Sequence, residues 1–246
     1  MGMPVIVEAA DESAAPEDLE KVFSYFNYVD ETFSIYKPDS EISKINRGKV
    51  KLKDAGKDVS EVFALSEQTK QLTGGYFNIV TPQGKYDPSG LVKGWAIYNA
   101  AKILEDSGYK NFYVEAGGDI QTFGHNQTGK NWSVGIKNPF DQSQIVKIVY
   151  LSGQGIATSG TYIRGQHIYN PHNPGSLIND IASLTVIGPN VYEADRFATA
   201  TFAMGKQGIH FIENLQGFEG YVIDKDGIAT MTSGFGKYTK EKEASS

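Results

Sequence analysis

Helical spacing at both ends of the chain around a central block of strand-like runs predicts an α+β fold. Two further observations support it. Glycine makes up 27 of 246 residues, about 11% against an ordinary 7% or so, which calls for many tight turns or close backbone approaches. Neither GxGxxG nor GxxxxGK followed by Ser or Thr occurs, so a doubly wound nucleotide-binding sheet has no motif to stand on.

The elements follow in order. Residues 4–8 read as a strand. Residues 16–35 carry Leu19, Val22, Phe23, Phe26, Val29 and Phe33 at helical spacing, with Pro16 at the start. Pro38 ends that helix, and Asp39 or Ser40 can cap a short one through Ile42 and Ile45. Residues 58–73 form a helix closed by Gly74-Gly75, and residues 89–106 form the next. Strands are expected at 111–115, 119–123, 131–137, 144–151, 155–158 and 182–188. Helices at about 191–204 and 207–215 precede strands at 220–224 and 228–231. No internal repeat or Pro/Ser-rich linker divides the chain, so residues 1–239 read as a single domain and the polar 240–246 as a tail.

Composition excludes several classes. Lys+Arg 23 against Asp+Glu 29 gives a net charge of −6, with Arg only at 47, 164 and 196; a nucleic-acid binder would want a basic, Arg-rich face. Zero cysteines remove disulfides, thiol catalysis and Cys-type metal sites. No apolar run approaches a membrane span. The N-terminus lacks a basic segment followed by a long apolar core, so the sequence as it stands reads as cytoplasmic; one trimmed of an export signal would look the same and would be periplasmic.

Candidate chemistry lies in six places. Asp195 and Thr199 are four apart on a predicted helix, so a carboxylate and a hydroxyl share a face, a hard-oxygen pair suited to Mg²⁺; the ordinary alternative is an acid favoured by the helix dipole. Glu115-Ala116-Gly117-Gly118-Asp119 is a strand running into a double glycine and an acid, either a close ligand approach or a hairpin turn. In Asp87-Pro88-Ser89-Gly90-Leu91-Val92-Lys93-Gly94, the mid-helix Gly94 implies close packing, and Lys93 near a helix start suits an anion such as phosphate, or is simply solvated. Thr158-Ser159-Gly160 could contact a polar ligand or form a turn. His167 could be a general base or structural. Tyr36 could stack on an aromatic ring or serve the core.

Taken together and in order, MGM, SIYKPDSEISKIN, GGYFN, DPSGLVKGWA, EAGGD, WSVGIKNP, IATSG, HIYNP and EADRFATA resemble the ApbE-like family, the FAD:protein FMN transferases, from Met1 to about Gly205. The resemblance implies a mixed, largely antiparallel sheet flanked by helices, a two-lobed, T-fold-like single domain. It implies FAD as substrate and Mg²⁺ as cofactor, with FMN transferred as a phosphoester to a Thr or Ser of an acceptor flavoprotein and AMP released. Acceptors of that kind are subunits of sodium-pumping NADH:quinone reductase and Rnf-type complexes, or a flavin reductase. By the same resemblance Asp195 and Thr199 are metal ligands, with a backbone carbonyl, matched to Val92, as the third. Met3, Tyr36, Ser40, Asn46, Glu115, Gly117, Gly118, Asp119, Thr158, Ser159 and Gly160 fall in cofactor-binding segments. His167 is the residue that would activate the acceptor hydroxyl, with Lys93 helping to neutralise phosphate. The sequence departs from the family at Met3, where Thr is common, at Asn170, where Asp is common, at NPHNPG, and at Val92, where Ala is common. Asp226-Gly227-Ile228-Ala229-Thr230 echoes a DGxTGAT-like acceptor site without its second glycine and reads as a turn. Two other activities fit the same motifs: an FAD pyrophosphatase releasing free FMN, and a non-catalytic FAD-binding protein.

Overall fold

The computed structural model describes residues 2–11, 15–161 and 168–241. Its centre is a seven-stranded sheet built from β1 (Val5–Ala9), β2 (Phe112–Ala116), β3 (Asp119–Phe123), β6 (Gly155–Gly160), β7 (Ile181–Gly188), β8 (Glu219–Asp224) and β9 (Ala229–Met231), in the order β1-β2-β3-β6-β7-β8-β9. The separate hairpin β4 (Trp132–Asn138) and β5 (Asp141–Leu151) lies outside that sheet. Every strand pairing among the described residues is antiparallel.

The helices are α1 (Pro16–Phe33), α2 (Glu41–Asn46), α3 (Lys57–Leu72), α4 (Ser89–Asp106), α5 (Val191–Ala203) and α6 (Gly208–Glu213). Each expected element is present with small shifts at its ends. β5 starts three residues earlier than expected, because it pairs across a tight turn at Asn138↔Asp141. β6 runs on to Gly160, so Thr158–Gly160 are strand residues paired with β7 and not a turn. Asp224 and Gly227 close the β8–β9 turn by a main-chain bond, as expected for the Asp226-Gly227 stretch.

Two helical layers cover two halves of one sheet face. α1 to α4 bury Val22, Phe26, Leu91, Trp95 and Leu104 with Phe112 and Val114 of β2. α5 and α6 bury Phe197, Phe202 and Ile212 against Leu184, Val186 and Val222. The alternate residues, Ile156, Ile187, Tyr221 and Ile223, face the other way and pack on Ile136, Val149 and Leu151 of the hairpin. β7 is therefore covered on both sides, and all eight of its residues are buried. The opposite half of that second face carries Glu8, Tyr113 and Glu115, and the Tyr113 ring meets Trp132 of the hairpin edge-on.

Candidate functional site

α4 and α5 meet through two glycines and two oxygen-bearing side chains. Gly90 and Gly94 are four apart on α4; Asp195 and Thr199 are four apart on α5. A Cβ at Gly94 would stand 2.6 Å from the Asp195 Cβ and 2.8 Å from the Val191 carbonyl oxygen. A Cβ at Gly90 would stand 2.9 Å from the Thr199 Cγ2. The helix-weakening glycine at 94 is thus the condition for close approach, as its spacing predicts. At this contact the Gly94 N–H donates to Asp195 Oδ2 at 2.7 Å, and the Thr199 hydroxyl donates to the Gly90 carbonyl at 3.1 Å. The Asn190 side chain caps α5 by accepting from the Glu193 N–H, and Gln121 of β3 accepts from the Val191 N–H at 2.8 Å.

The third contributor is the β2–β3 turn. Ala116 pairs with Asp119, and the two residues between them, Gly117 and Gly118, have φ of +60° and +93°. That is the two-residue primed turn that favours glycine at both positions. The hairpin-turn reading of this segment holds, and the turn places Asp119 at the cavity. Asp119 is fully buried. Its Oδ1 accepts from the Thr158 N–H at 3.1 Å, and its Oδ2 lies 2.7 Å from Lys93 Nζ. Lys93 Nζ also lies 3.7 Å from Asp195 Oδ1. Burial pushes the Asp195 carboxyl well above the usual carboxylate range, Lys93 opposes that shift, and Asp119 adds to it. Glu115 is raised for the same first reason, with Lys137 opposing and Asp119 reinforcing.

These groups border one cavity of about 990 Å³, which takes in Met3, Glu115, Gly117, Gly118, Asp119, Thr158, Ser159, Gly160, Lys93, Asp195 and Thr199. Its size is at the upper end of small-molecule sites and suits a dinucleotide. Met3 packs at the turn, its Sδ 2.8 Å from where a Gly117 Cβ would be.

Four of the expected site residues are placed elsewhere. Val92 is buried inside α4, does not border the cavity, and the carbonyl presented to Thr199 is that of Gly90. Ser40 is buried as the cap of α2, accepting from the Ser43 N–H and donating to the Ser34 carbonyl. Asn46 clamps the main chain of Tyr86, donating to its carbonyl and accepting from its N–H. Tyr36 is 90% exposed; with Asn46 it lines a neighbouring groove that meets the main cavity at Thr81 and Asp87. Lys93 is present as expected, but its ammonium is committed to two carboxylates. His167 lies outside the described residues. Sequence reasoning missed Gly90 and Gln121. Gly90 was findable from its four-residue spacing to Gly94; Gln121 had no local signal.

Among the described residues no group of three or more His, Cys, Asp or Glu is placed to hold a metal. A hard cation here would instead rest on the Asp195 carboxylate, the Thr199 hydroxyl and the Gly90 carbonyl, a short oxygen set that leaves room for phosphate and water. Lys93 is held between Asp119 and Asp195, so this wall offers oxygen ligands to a cation while its ammonium is already committed to carboxylates.

Comparison with known proteins agrees with the architecture. The sequence model of the ApbE family matches residues 1–84 and 81–222. A FAD:protein FMN transferase of Klebsiella pneumoniae (strain 342) is 32% identical over 155 residues, covering 59% of this chain and 44% of that protein. That of Escherichia coli (strain K12) is 30% identical over 155 residues, with the same coverage. The chain thus spans less than half the length of these curated relatives. Among solved structures, the ApbE protein of Thermotoga maritima MSB8 superposes with a TM-score of 0.83 at 19% identity, over 97% of this chain and 99% of that one. The flavin transferase ApbE of Vibrio cholerae superposes with 0.83 at 23% identity, over 97% and 96%. At such identities the superpositions establish the fold.

Proposed function

The chain belongs to the ApbE family, and from that premise we propose that it is a flavin transferase that cleaves FAD and attaches FMN to a Thr or Ser of an acceptor flavoprotein. The observation that carries this reading is the meeting of Asp195, Thr199 and the Gly90 carbonyl at one wall of a dinucleotide-sized cavity. The related proteins bearing the name FAD:protein FMN transferase support it.

The chemistry balances as a phosphoryl-type transfer. The acceptor hydroxyl oxygen bonds to the FMN phosphorus, the phosphorus–oxygen bond to the AMP phosphate breaks, and AMP departs. Mg²⁺, held by Asp195, Thr199 and the Gly90 carbonyl, would supply charge neutralisation to the pyrophosphate. Lys93 balances Asp119 and keeps the Asp195 carboxylate in place. Gly117 and Gly118 let main chain approach the ligand without side chains in the way, and Thr158 to Gly160 border the same space. His167 is assigned the removal of the acceptor proton. No helix among the described residues is long and apolar enough to cross a membrane.

The test is the release of AMP from FAD in the presence of Mg²⁺. Asp195→Ala is expected to lower the rate by on the order of 10²-fold or more, the usual scale for losing a pre-placed electrostatic group. An unchanged rate overturns the assignment. Mass spectrometry of an acceptor peptide then separates transfer from release of free FMN.

A further inference from the structure

β4 enters the cavity wall in a way that its sequence does not announce. Ser133, Val134, Gly135, Ile136 and Lys137 are consecutive, and all five border the cavity. Successive strand residues point to opposite faces, so five in a row reach the cavity through the strand's backbone edge as well as through side chains, and Gln142 and Ile145 of β5 border it at the bulged end of the hairpin. β5 pairs with β4 on the other side, and among the described residues no third strand joins this sheet. Nor does the main chain of residues 133–137 bond any main-chain group outside the hairpin among those residues.

Exposed sheet edges are commonly blunted by proline, charge or a bulge. Here the bulge and the lysine both fall at one end, at Ile136/Lys137. The run Ser133-Val134-Gly135-Ile136 carries neither proline nor charge and is roughly 13 Å long at strand rise. Glu8 and Tyr113, in register on neighbouring strands, border the same cavity, and the Tyr113 ring packs edge-on against Trp132 at the start of β4. The same cavity continues to Asp119 and Asp195.

We infer that the acceptor polypeptide docks by strand addition, an extended segment pairing with the free edge of β4 so that its Thr or Ser reaches the cavity. The inference rests on the flavin-transfer reading, which requires a polypeptide hydroxyl at this cavity. The occupant follows from the chemistry of the edge. Four residues of strand edge present donors and acceptors at strand spacing, which an extended peptide matches along its length. A flavin dinucleotide has no such repeat.

Hydrogen exchange read by mass spectrometry on the whole chain tests this. The probe is a short synthetic peptide with the DGxTGAT-like pattern, its acceptor Thr replaced by Ala so that it is not consumed. The amides of 132–138 that face away from β5 are expected to gain tenfold or more protection with the peptide and FAD, and little with FAD and Mg²⁺ alone. Two further versions of the peptide carry N-methyl groups on alternate residues. One set should lose binding at least tenfold and the complementary set should keep it, because only every second amide faces the partner strand. Protection of β4 by FAD alone overturns the inference and gives the edge to the dinucleotide. If the Thr-containing peptide is flavinylated while 132–138 stay unprotected, or both methylated sets bind alike, docking is elsewhere and the transfer reading stands. Failure to release AMP or to label any peptide overturns the transfer reading and the docking inference with it.

Discussion

Lys93 is held between Asp119 and Asp195, and its ammonium is what makes two buried carboxylates tolerable at the end of β3 and in the middle of α5. Removing one partner of a buried ion cluster typically costs about 3–5 kcal/mol, because the remaining charge has lost its compensation. Lys93→Met keeps the apolar stem and deletes the charge, so urea unfolding at neutral pH should show a loss of that order; a change under 1 kcal/mol would mean that the carboxylates are satisfied some other way. Glu115 presents the opposite case. Its carboxyl is raised by burial, so the ionised form is disfavoured in the folded state. That penalty is present above its folded pKa and is relieved as pH falls through it. Glu115→Gln should therefore be more stable than the wild type at pH 8, with the gap closing towards pH 4. A gap that widens on acidification would reverse the sign and the explanation.

Asn46 shows how one element holds another. Its amide closes two hydrogen bonds on the main chain of Tyr86, 2.8 Å to the carbonyl and 2.7 Å from the N–H. This fixes the loop that supplies Thr81 and Asp87 to the cavity, and the Asp87 side chain in turn accepts from the Ser89 N–H at the start of α4. Asn46→Ala leaves two half-buried main-chain groups without their partner, a loss of about 1 kcal/mol or somewhat more, and should speed amide exchange across 81–87 while leaving α5 protected. Equal exchange in both proteins would show that the loop is held without the clamp. The helices and strands themselves were legible because hydrophobic spacing writes them locally: Val22, Phe26, Val29 and Phe33 line one stripe of α1, and Gly74 and Gly75 take the positive φ that their place after α3 implies. Asp195 and Thr199 were legible for the same reason, being a single helical turn. The role of Asn46 was not, since a partner 40 residues away leaves no trace in the segment around it, and Gln121 reaches α5 across 70 residues. The resemblance points to Val92 and the contact to Thr199 is made by Gly90, because a sequence shows neither which carbonyl a helix turns toward its neighbour nor how closely two helices cross.

At the scale of the molecule, the site lies where two hydrophobic clusters meet. α4 and β2 belong to one and β7 to the other, while α5 contributes to both, Val191, Tyr192 and Ala200 to the first and Phe197 and Phe202 to the second; Lys93, Asp119 and Asp195 stand at that junction. A ligand that grips both sides binds the folded state and not the unfolded chain, so it must raise stability by mass action. At a free concentration one hundred times its Kd that is about 2.7 kcal/mol, or roughly 5–10 °C in Tm for a chain of this length. FAD with Mg²⁺ should give that shift to the wild type, and EDTA should remove the part that depends on the cation. In Asp195→Ala the cation-dependent part should vanish while the shift from FAD alone persists, because the glycine turn and the rest of the cavity are intact. If EDTA leaves the wild-type shift unchanged, the oxygen set on α4 and α5 does not hold a cation. The dinucleotide would then be bound by the cavity alone, with no cation between its pyrophosphate and the carboxylates of Asp119 and Asp195.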